Sequence, residues 1–171
     1  MEVWWIGVDG SVKDWYWWDG LRHWTGTQLA GPESASTTGG ITAITRVPNH
    51  MEVWWIGQNG SVQDWYFWDS VGWTASELAG AGSASTTGGI AAVSRDPWSM
   101  EVWWIGADGS VQDKYYFDAV GWNGFQLAPA GSASTTSGVG AFSRDADIME
   151  VWWVASDGSL QYTYFDEWGW H

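Results

Sequence analysis

Met100-Glu101-Val102-Trp103-Trp104-Ile105-Gly106 runs into Ala107-Asp108-Gly109-Ser110 and then into Val111-Gln112-Asp113-Lys114-Tyr115-Tyr116-Phe117. Two runs rich in β-branched and aromatic residues, joined by an Asp-Gly pair, read as a β-hairpin. Such a turn is expected to hold both central residues at positive φ. Upstream, Ile90-Ala91-Ala92-Val93-Ser94-Arg95 reads as another strand, and downstream a fourth begins near Trp122 and ends near Leu127. No stretch keeps an apolar period of about 3.6 residues for three turns, so no helix is predicted.

The hairpin is one copy of a repeat. Met1 to Gly7, Met51 to Gly57, Met100 to Gly106 and Met149 to Ala155 are near-copies, with start-to-start spacings of 50, 49 and 49. The turn recurs as Asp9-Gly10, Asn59-Gly60 and Asp157-Gly158. A second block, Gly-Ser-Ala-Ser-Thr-Thr, occurs at Gly82 to Thr87 and Gly131 to Thr136, and as Glu33 to Thr38 with Glu for the Gly. Each is followed by a Gly-rich stretch, a short apolar run and an arginine: Arg46, Arg95 and Arg144. The chain therefore reads as one repeat domain over 1–171, with repeats starting at Met1, Met51, Met100 and Met149 and the last only half a repeat.

Composition narrows the class. Of 171 residues 18% are aromatic, with 19 Trp, and 23 are Gly without a three-residue period, so neither a disordered tail nor collagen fits. Lys plus Arg is 6 against 20 Asp plus Glu, a formal charge of −14. That field repels phosphate backbones and anionic lipid, so nucleic acid is not an expected partner and neither is membrane insertion. With no Cys, neither a disulfide framework nor a thiolate metal site can form. The start, Met1-Glu2-Val3-Trp4-Trp5, shows no basic or apolar leader, and no apolar run approaches the ~20 residues of a spanning helix. A soluble protein is expected, either cytoplasmic or secreted without a visible signal peptide.

A repeat of about 40–50 residues holding four strands is the pattern of a β-propeller blade. Met-Glu-Val-Trp-Trp-Ile carries bulky groups on both faces of its strand, as a sheet packed between two neighbours requires. A β-trefoil has repeats of similar length but needs three of them, not three and a half. The expected fold is all-β: a propeller of four-stranded antiparallel blades.

The repeat is also familiar. Ser94-Arg95-Asp96-Pro97-Trp98-Ser99-Met100-Glu101-Val102-Trp103-Trp104-Ile105-Gly106-Ala107-Asp108-Gly109-Ser110-Val111 resembles the repeat of the bacterial PLL-like β-propeller lectins, as does Phe125-Gln126-Leu127-Ala128-Pro129-Ala130-Gly131-Ser132-Ala133-Ser134. The resemblance runs through essentially the whole chain. It implies a seven-bladed ring that binds fucose and related, often O-methylated, sugars in pockets between blades. The departure is length, because those lectins carry all blades on one chain and this chain is about half as long. An arc of three to four blades exposes aromatic faces at both ends. Two chains of 171 residues, divided by the 49-residue repeat, come close to seven repeats. A homodimer closing one ring is therefore expected, of seven blades by preference and eight as the alternative.

Sugar binding of the kind implied needs an aromatic face for the apolar side of the ring and planar polar groups for adjacent hydroxyls. Arg46, Arg95 and Arg144 share one repeat position, and Glu52, Glu101 and Glu150 follow them by six residues. The same pairs would serve equally to orient blades, since a buried charge needs a partner. Asp19, Asp69, Asp118 and Asp166 close the third strand. Trp4, Trp54, Trp103 and Trp152, with Trp5, Trp55, Trp104 and Trp153, are expected to pack between blades. Trp73 and Trp122, with Trp24 as the first-copy counterpart, sit near a loop and are candidates for the sugar platform, as is Trp170. The loop Ser83-Ala84-Ser85-Thr86-Thr87-Gly88-Gly89 is nearly verbatim in three copies although loops usually drift, so Ser85 and Thr86 are candidates to line a pocket.

No catalytic residue, metal site or cofactor is expected. His23, His50 and His171 lie at unrelated repeat positions, and every recurring carboxylate has copies, whereas an active site is normally asymmetric. Repetition of modest sites is the logic of multivalent binding. Two classes stay open: a multivalent sugar-binding protein, and a structural or protein-binding propeller whose repeats only build the ring.

Overall fold

The computed structural model describes residues 1–20 and 22–171. Its first sheet contains β1 (Glu2–Ile6), β2 (Val12–Trp18) and β3 (His23–Ala30). The second holds β4 (Ile41–Ile44), β5 (His50–Ile56), β6 (Val62–Trp68) and β7 (Gly72–Ala79). The third holds β8 (Ile90–Asp96), β9 (Ser99–Ile105), β10 (Val111–Phe117) and β11 (Gly121–Ala128). The fourth holds β12 (Val139–Asp145), β13 (Ile148–Val154), β14 (Leu160–Asp166) and β15 (Gly169–Trp170). Every sheet is an antiparallel meander in chain order, and no helix occurs among the described residues. The trefoil alternative is set aside: this is a β-propeller arc of three four-stranded blades and one three-stranded blade.

The first strands of successive blades lie against one another, β4 against β8 and β8 against β12. That close approach explains the glycines after the Ser/Thr loop. Gly40 N–H donates to the Gly88 carbonyl at 3.1 Å, and Gly89 N–H to the Ser137 carbonyl at 3.0 Å. A Cβ on Gly89 would sit 2.7 Å from the Gly138 Cα, where backbone cannot yield. Gly89→Ala is therefore expected to cost about 1–3 kcal/mol, as overpacked positions do. Gly138→Ala, whose Cβ meets nothing within 4 Å, is the control, and urea midpoints compare the two.

The hairpin turns depart from the expected geometry. Gly10, Gly60, Gly109 and Gly158 take positive φ, but Asp9, Asn59, Asp108 and Asp157 do not. The turn closes from the Gly109 N–H to the Gly106 carbonyl at 3.0 Å, and Asp108 Oδ1 accepts from the Ser110 backbone at 3.0 Å and its hydroxyl at 2.6 Å. The side-chain oxygen holds the turn, so only the glycine needs the left-handed region.

Burial follows blade position. β9 is buried along its whole length, whereas β1 alternates half-buried and exposed. Each blade junction has its own apolar cluster: Val12, Leu29, Val53 and Trp55 at the first, Trp54, Ile56, Val102 and Trp104 at the second, and Trp103, Ile105, Val151 and Trp153 at the third. The Trp-Trp pairs of the middle blades are core, as expected. Trp5 is not: it is 38% exposed where Trp55 is 1% and Trp104 2%. Trp5 lies on the face of the first sheet turned away from the second blade.

Candidate functional site

The candidate sites lie between blades, on the face of each sheet that meets the next one. Strand alternation places Glu52 and Trp54 on one face of β5, and antiparallel pairing sets Asp64 directly opposite Trp54. The same register sets Asp14 opposite Trp4 and Asp113 opposite Trp103. The result is a Glu–Asp carboxyl pair inside the first three blades: Glu2 with Asp14, Glu52 with Asp64, and Glu101 with Asp113, each sharing a side-chain hydrogen bond. Burial pushes Glu52 up to about 7 and Asp64 to about 9, the latter also through the Glu52 charge. Burial likewise pushes Glu101 to about 9 and Asp113 to about 7. Each pair therefore keeps a proton at neutral pH, because two buried charges in contact cannot both ionise. Trp103 Nε1 donates to Asp113 Oδ2 at 2.9 Å.

The fourth blade differs. Tyr162 stands opposite Trp152, so Glu150 has no carboxyl partner. It meets Arg144 instead, at 2.7 Å.

His50 packs on Trp68 with centroids 4.4 Å apart, and its Nε2 lies 3.2 Å from Glu52 Oε2. Burial and then the Arg46 charge hold His50 down to about 4. With Glu52 raised, this contact is a neutral hydrogen bond at pH 6 rather than an ion pair.

Arg46 and Arg95 point across junctions, whereas Arg144 turns to its own Glu150. Arg46 donates to the Pro97 carbonyl of the next blade, pairs with Asp118 at 3.0 Å, and lies 5.5 Å from the Tyr116 ring and 5.9 Å from Trp68. Arg95 donates to the Ala146 carbonyl at 3.1 Å and lies 4.8 Å from the Phe165 ring. Of the three Arg–Glu pairings read from the spacing, the direct ion pair among the described residues is Arg144–Glu150.

The outer-strand tryptophans form the other side of each junction. Trp73 meets Trp4 edge to face at 6.4 Å, Trp122 meets Trp54 at 6.3 Å, and Trp170 meets Trp103 at 6.2 Å. Each also packs on the aromatic residue before it in its own blade: Phe67, Tyr116 and Phe165. Trp24 meets Trp17 at 6.1 Å and stays 39% exposed. Asp166 falls one residue earlier in register than Asp118 and bonds His171 at 2.9 Å.

The Ser/Thr loop hydroxyls are engaged with the neighbouring loop. Ser85 Oγ donates to the Thr135 carbonyl at 2.6 Å and Thr87 Oγ1 to the same carbonyl at 2.8 Å; Ser36 and Thr38 do the same to Thr86. Ser85 is buried and the Thr86 side chain is exposed. A ladder of loops, each gripping the next, accounts for their near-identity.

The first junction opens into a cavity of about 620 Å³, with Glu2, Asp14 and Trp18 on one side and His50, Asp69 and Trp73 on the other. Trp4 Nε1, Asp14 Oδ1 and His50 Nδ1 are buried without a hydrogen-bond partner. At the second junction Arg46 fills the equivalent space. A different cleft repeats along the arc, beside Trp55 and Gln63 at one junction and Trp104 and Gln112 at the next.

Asp14, Asp64 and Asp113, in the middle of the third strand, were not singled out from the sequence, and His50 was named there without a role in the site. A signal existed: Asp is disfavoured inside strands, yet it recurs in the middle of an aromatic-rich one.

The fold and its inter-blade clefts define a β-propeller. No protein-family model matches the chain, and no curated protein matches it. Among solved structures, the BP39L lectin from Burkholderia pseudomallei is similar at 19% identity with a TM-score of 0.86, over 99% of this chain and 50% of that one. The SapL1 lectin, solved with α-methyl fucoside, is similar at 19% identity and TM-score 0.78, over 99% and 58%. The Aleuria aurantia lectin, a six-bladed β-propeller described with a fucose recognition mode, gives 20% and 0.71, over 99% and 54%. The chain thus spans about half the length of these structures.

Proposed function

We propose that the chain is a multivalent carbohydrate-binding protein of the lectin type, taking fucose-like or O-methylated monosaccharides at its blade junctions, with no catalytic step. The observation that carries this reading is the cavity of the first junction. Aromatic walls, Trp18 and Trp73, face a set of planar polar groups, and of the residues lining the cavity Asp14 and His50 each keep a buried atom, Oδ1 and Nδ1, without a partner. An unpaired buried polar atom costs about 1–3 kcal/mol, and a hydroxyl-rich ring would supply what is missing. The methyl of a fucose-like or methylated sugar suits an indole wall. The fucose-binding neighbours support the choice of sugar. The Glu–Asp couples recur in the first three blades, which favours repeated weak sites over one reactive centre. Single-site affinity is expected between about 1 mM and 1 μM, or roughly −4 to −8 kcal/mol.

Calorimetric titration of methyl α-fucoside tests this. Trp18 is 64% exposed, so Trp18→Ala is expected to leave the fold intact and to weaken the site about tenfold, the loss of one aromatic anchor. No heat with any fucose-like or methylated monosaccharide, in a folded chain, overturns the reading. The alternative is a structural or protein-binding propeller. What favours it is the full engagement of Arg46 and of the loop hydroxyls in holding blades together.

A further inference from the structure

The three junctions inside the chain follow one rule. A tryptophan on the second strand of one blade meets a tryptophan on the outer strand of the next, edge to face, at 6.2 to 6.4 Å. At the two later junctions an arginine from the earlier blade crosses to the later one, Arg46 to Asp118 and the Tyr116 ring, Arg95 to the Phe165 ring. Each junction thus has an outgoing half and an incoming half.

The last blade displays an outgoing half with nothing to meet. Arg144, at the repeat position of Arg46 and Arg95, is folded back on Glu150 and is 57% exposed, against 7% for Arg46. Around it Phe142, Leu160, Tyr162 and Tyr164 are exposed. Arg144, Glu150 and Trp152 line an open half-cleft of about 290 Å³. The first blade displays an incoming half. Trp17 stands opposite Trp24 as Tyr116 stands opposite Trp122, and Asp19 follows Trp17 by two residues as Asp118 follows Tyr116. Trp5, Trp15 and Trp24 are exposed on that side.

We propose that the outgoing face of the last blade docks on the incoming face of the first blade of a second copy. The seam is built there by Arg144, Glu150 and Trp152 of one copy and Trp17, Asp19 and Trp24 of the other, with Arg144 crossing as Arg46 does. The occupant is a second copy because the two open faces are the two halves of a contact this chain already makes three times within itself. Their charges are also opposite: Arg144 is left with its own Glu150, and Asp19 touches the Trp17 indole N–H at 3.1 Å in place of a cation. The contact is head-to-tail, and such contacts form closed rings when the rotation allows. Two copies about a common two-fold carry eight blades, the larger of the two counts read from the sequence. The docking does not rest on the sugar reading above.

A charge exchange tests the docking. In Arg144→Asp, position 144 faces Asp19 of an identical copy, and in Asp19→Arg, position 19 faces Arg144. Either variant alone therefore places like charges at both seams. Mixed together, one copy of each forms two matched seams. By sedimentation, the wild type is expected as a dimer at micromolar concentration. Each variant alone should dissociate about tenfold to a hundredfold more readily, as like-charge contacts do, and the equimolar mixture should recover the wild-type mass. A monomeric wild type, a dimer indifferent to both changes, or a mixture no tighter than its parts overturns the docking. Titration of the same samples with methyl α-fucoside and the other fucose-like and methylated monosaccharides separates the two ideas: a recovered dimer that takes up none of them supports the docking and overturns the lectin reading.

Discussion

Trp103→Ala is expected to lower stability by about 3–5 kcal/mol, the cost of emptying a large aromatic site in a core. Trp103 is fully buried and belongs to the cluster of Ile105, Val111, Met149, Val151 and Trp153 that joins the third and fourth blades. It also meets Trp170 edge to face and donates its indole N–H to Asp113. Truncation therefore opens a cavity, removes a ring contact between blades and strips a buried carboxyl of a donor. Because the cluster around Trp103 joins the third and fourth blades, the loss should appear as a separated early transition in urea, read by far-UV dichroism. Trp98→Ala is the control: Trp98 is 65% exposed and its removal should stay within about 0.5 kcal/mol. Equal effects from the two would show that the junction is not packed as described.

Alkaline pH is expected to destabilise the protein, by on the order of several kcal/mol between pH 5 and pH 10. The cause is the pair of buried carboxyl couples, Glu52–Asp64 and Glu101–Asp113. In the unfolded chain these acids ionise near pH 4, whereas burial holds their folded values at about 7 and about 9. The folded state thus binds more protons, and stability falls as pH rises. The contribution is fully present below about pH 4 and is lost as pH climbs through 7 and 9. His50 acts in the opposite sense. Held at about 4 when folded, it favours the folded state above about pH 6.5 and loses that contribution as pH falls toward 4. Greatest stability is therefore expected in mildly acidic solution. Asp113→Asn keeps an oxygen for the Trp103 indole and cannot ionise, so it should remove a large part of the alkaline loss. Urea midpoints at pH 5, 7 and 9 for both proteins check this; a flat wild-type profile would refute the shared proton.

These two effects show what the inter-blade space costs. The junctions combine the best-packed aromatics with carboxyls that stay protonated, a combination that offers both walls and hydrogen-bonding groups to a ligand. Where Arg46 crosses, the space is filled; at the first junction it is open. The first blade is three-stranded and carries no counterpart of Arg46, so the junction it forms with the second blade stays open.

The blade pattern was legible in the sequence because it is local. The period of the Met-Glu-Val-Trp-Trp-Ile strand, the Gly at each turn and the Gly-rich stretch after each Ser/Thr loop determine strands and reversals within a few residues of themselves. Val111–Phe117 is the strand read from the sequence, to the residue. The division of the Trp-Trp pairs into core was legible for the middle blades for the same reason: both faces of their strands are bulky. What needed the tertiary structure is everything that depends on the neighbouring sheet. Arg46 and Glu52 are six residues apart, yet the guanidinium reaches Asp118, 72 positions along the chain. Spacing along one strand says nothing about which way a long side chain turns at a sheet edge. The Glu–Asp couples are set by antiparallel register, which brings Asp113 beside Glu101 only once the hairpin has closed. The exposure of Trp5 against the burial of Trp55 and Trp104 comes from identical local sequence in different places. A repeated sequence specifies both halves of a junction in every copy; only the assembled arc decides which halves are met and which are left open.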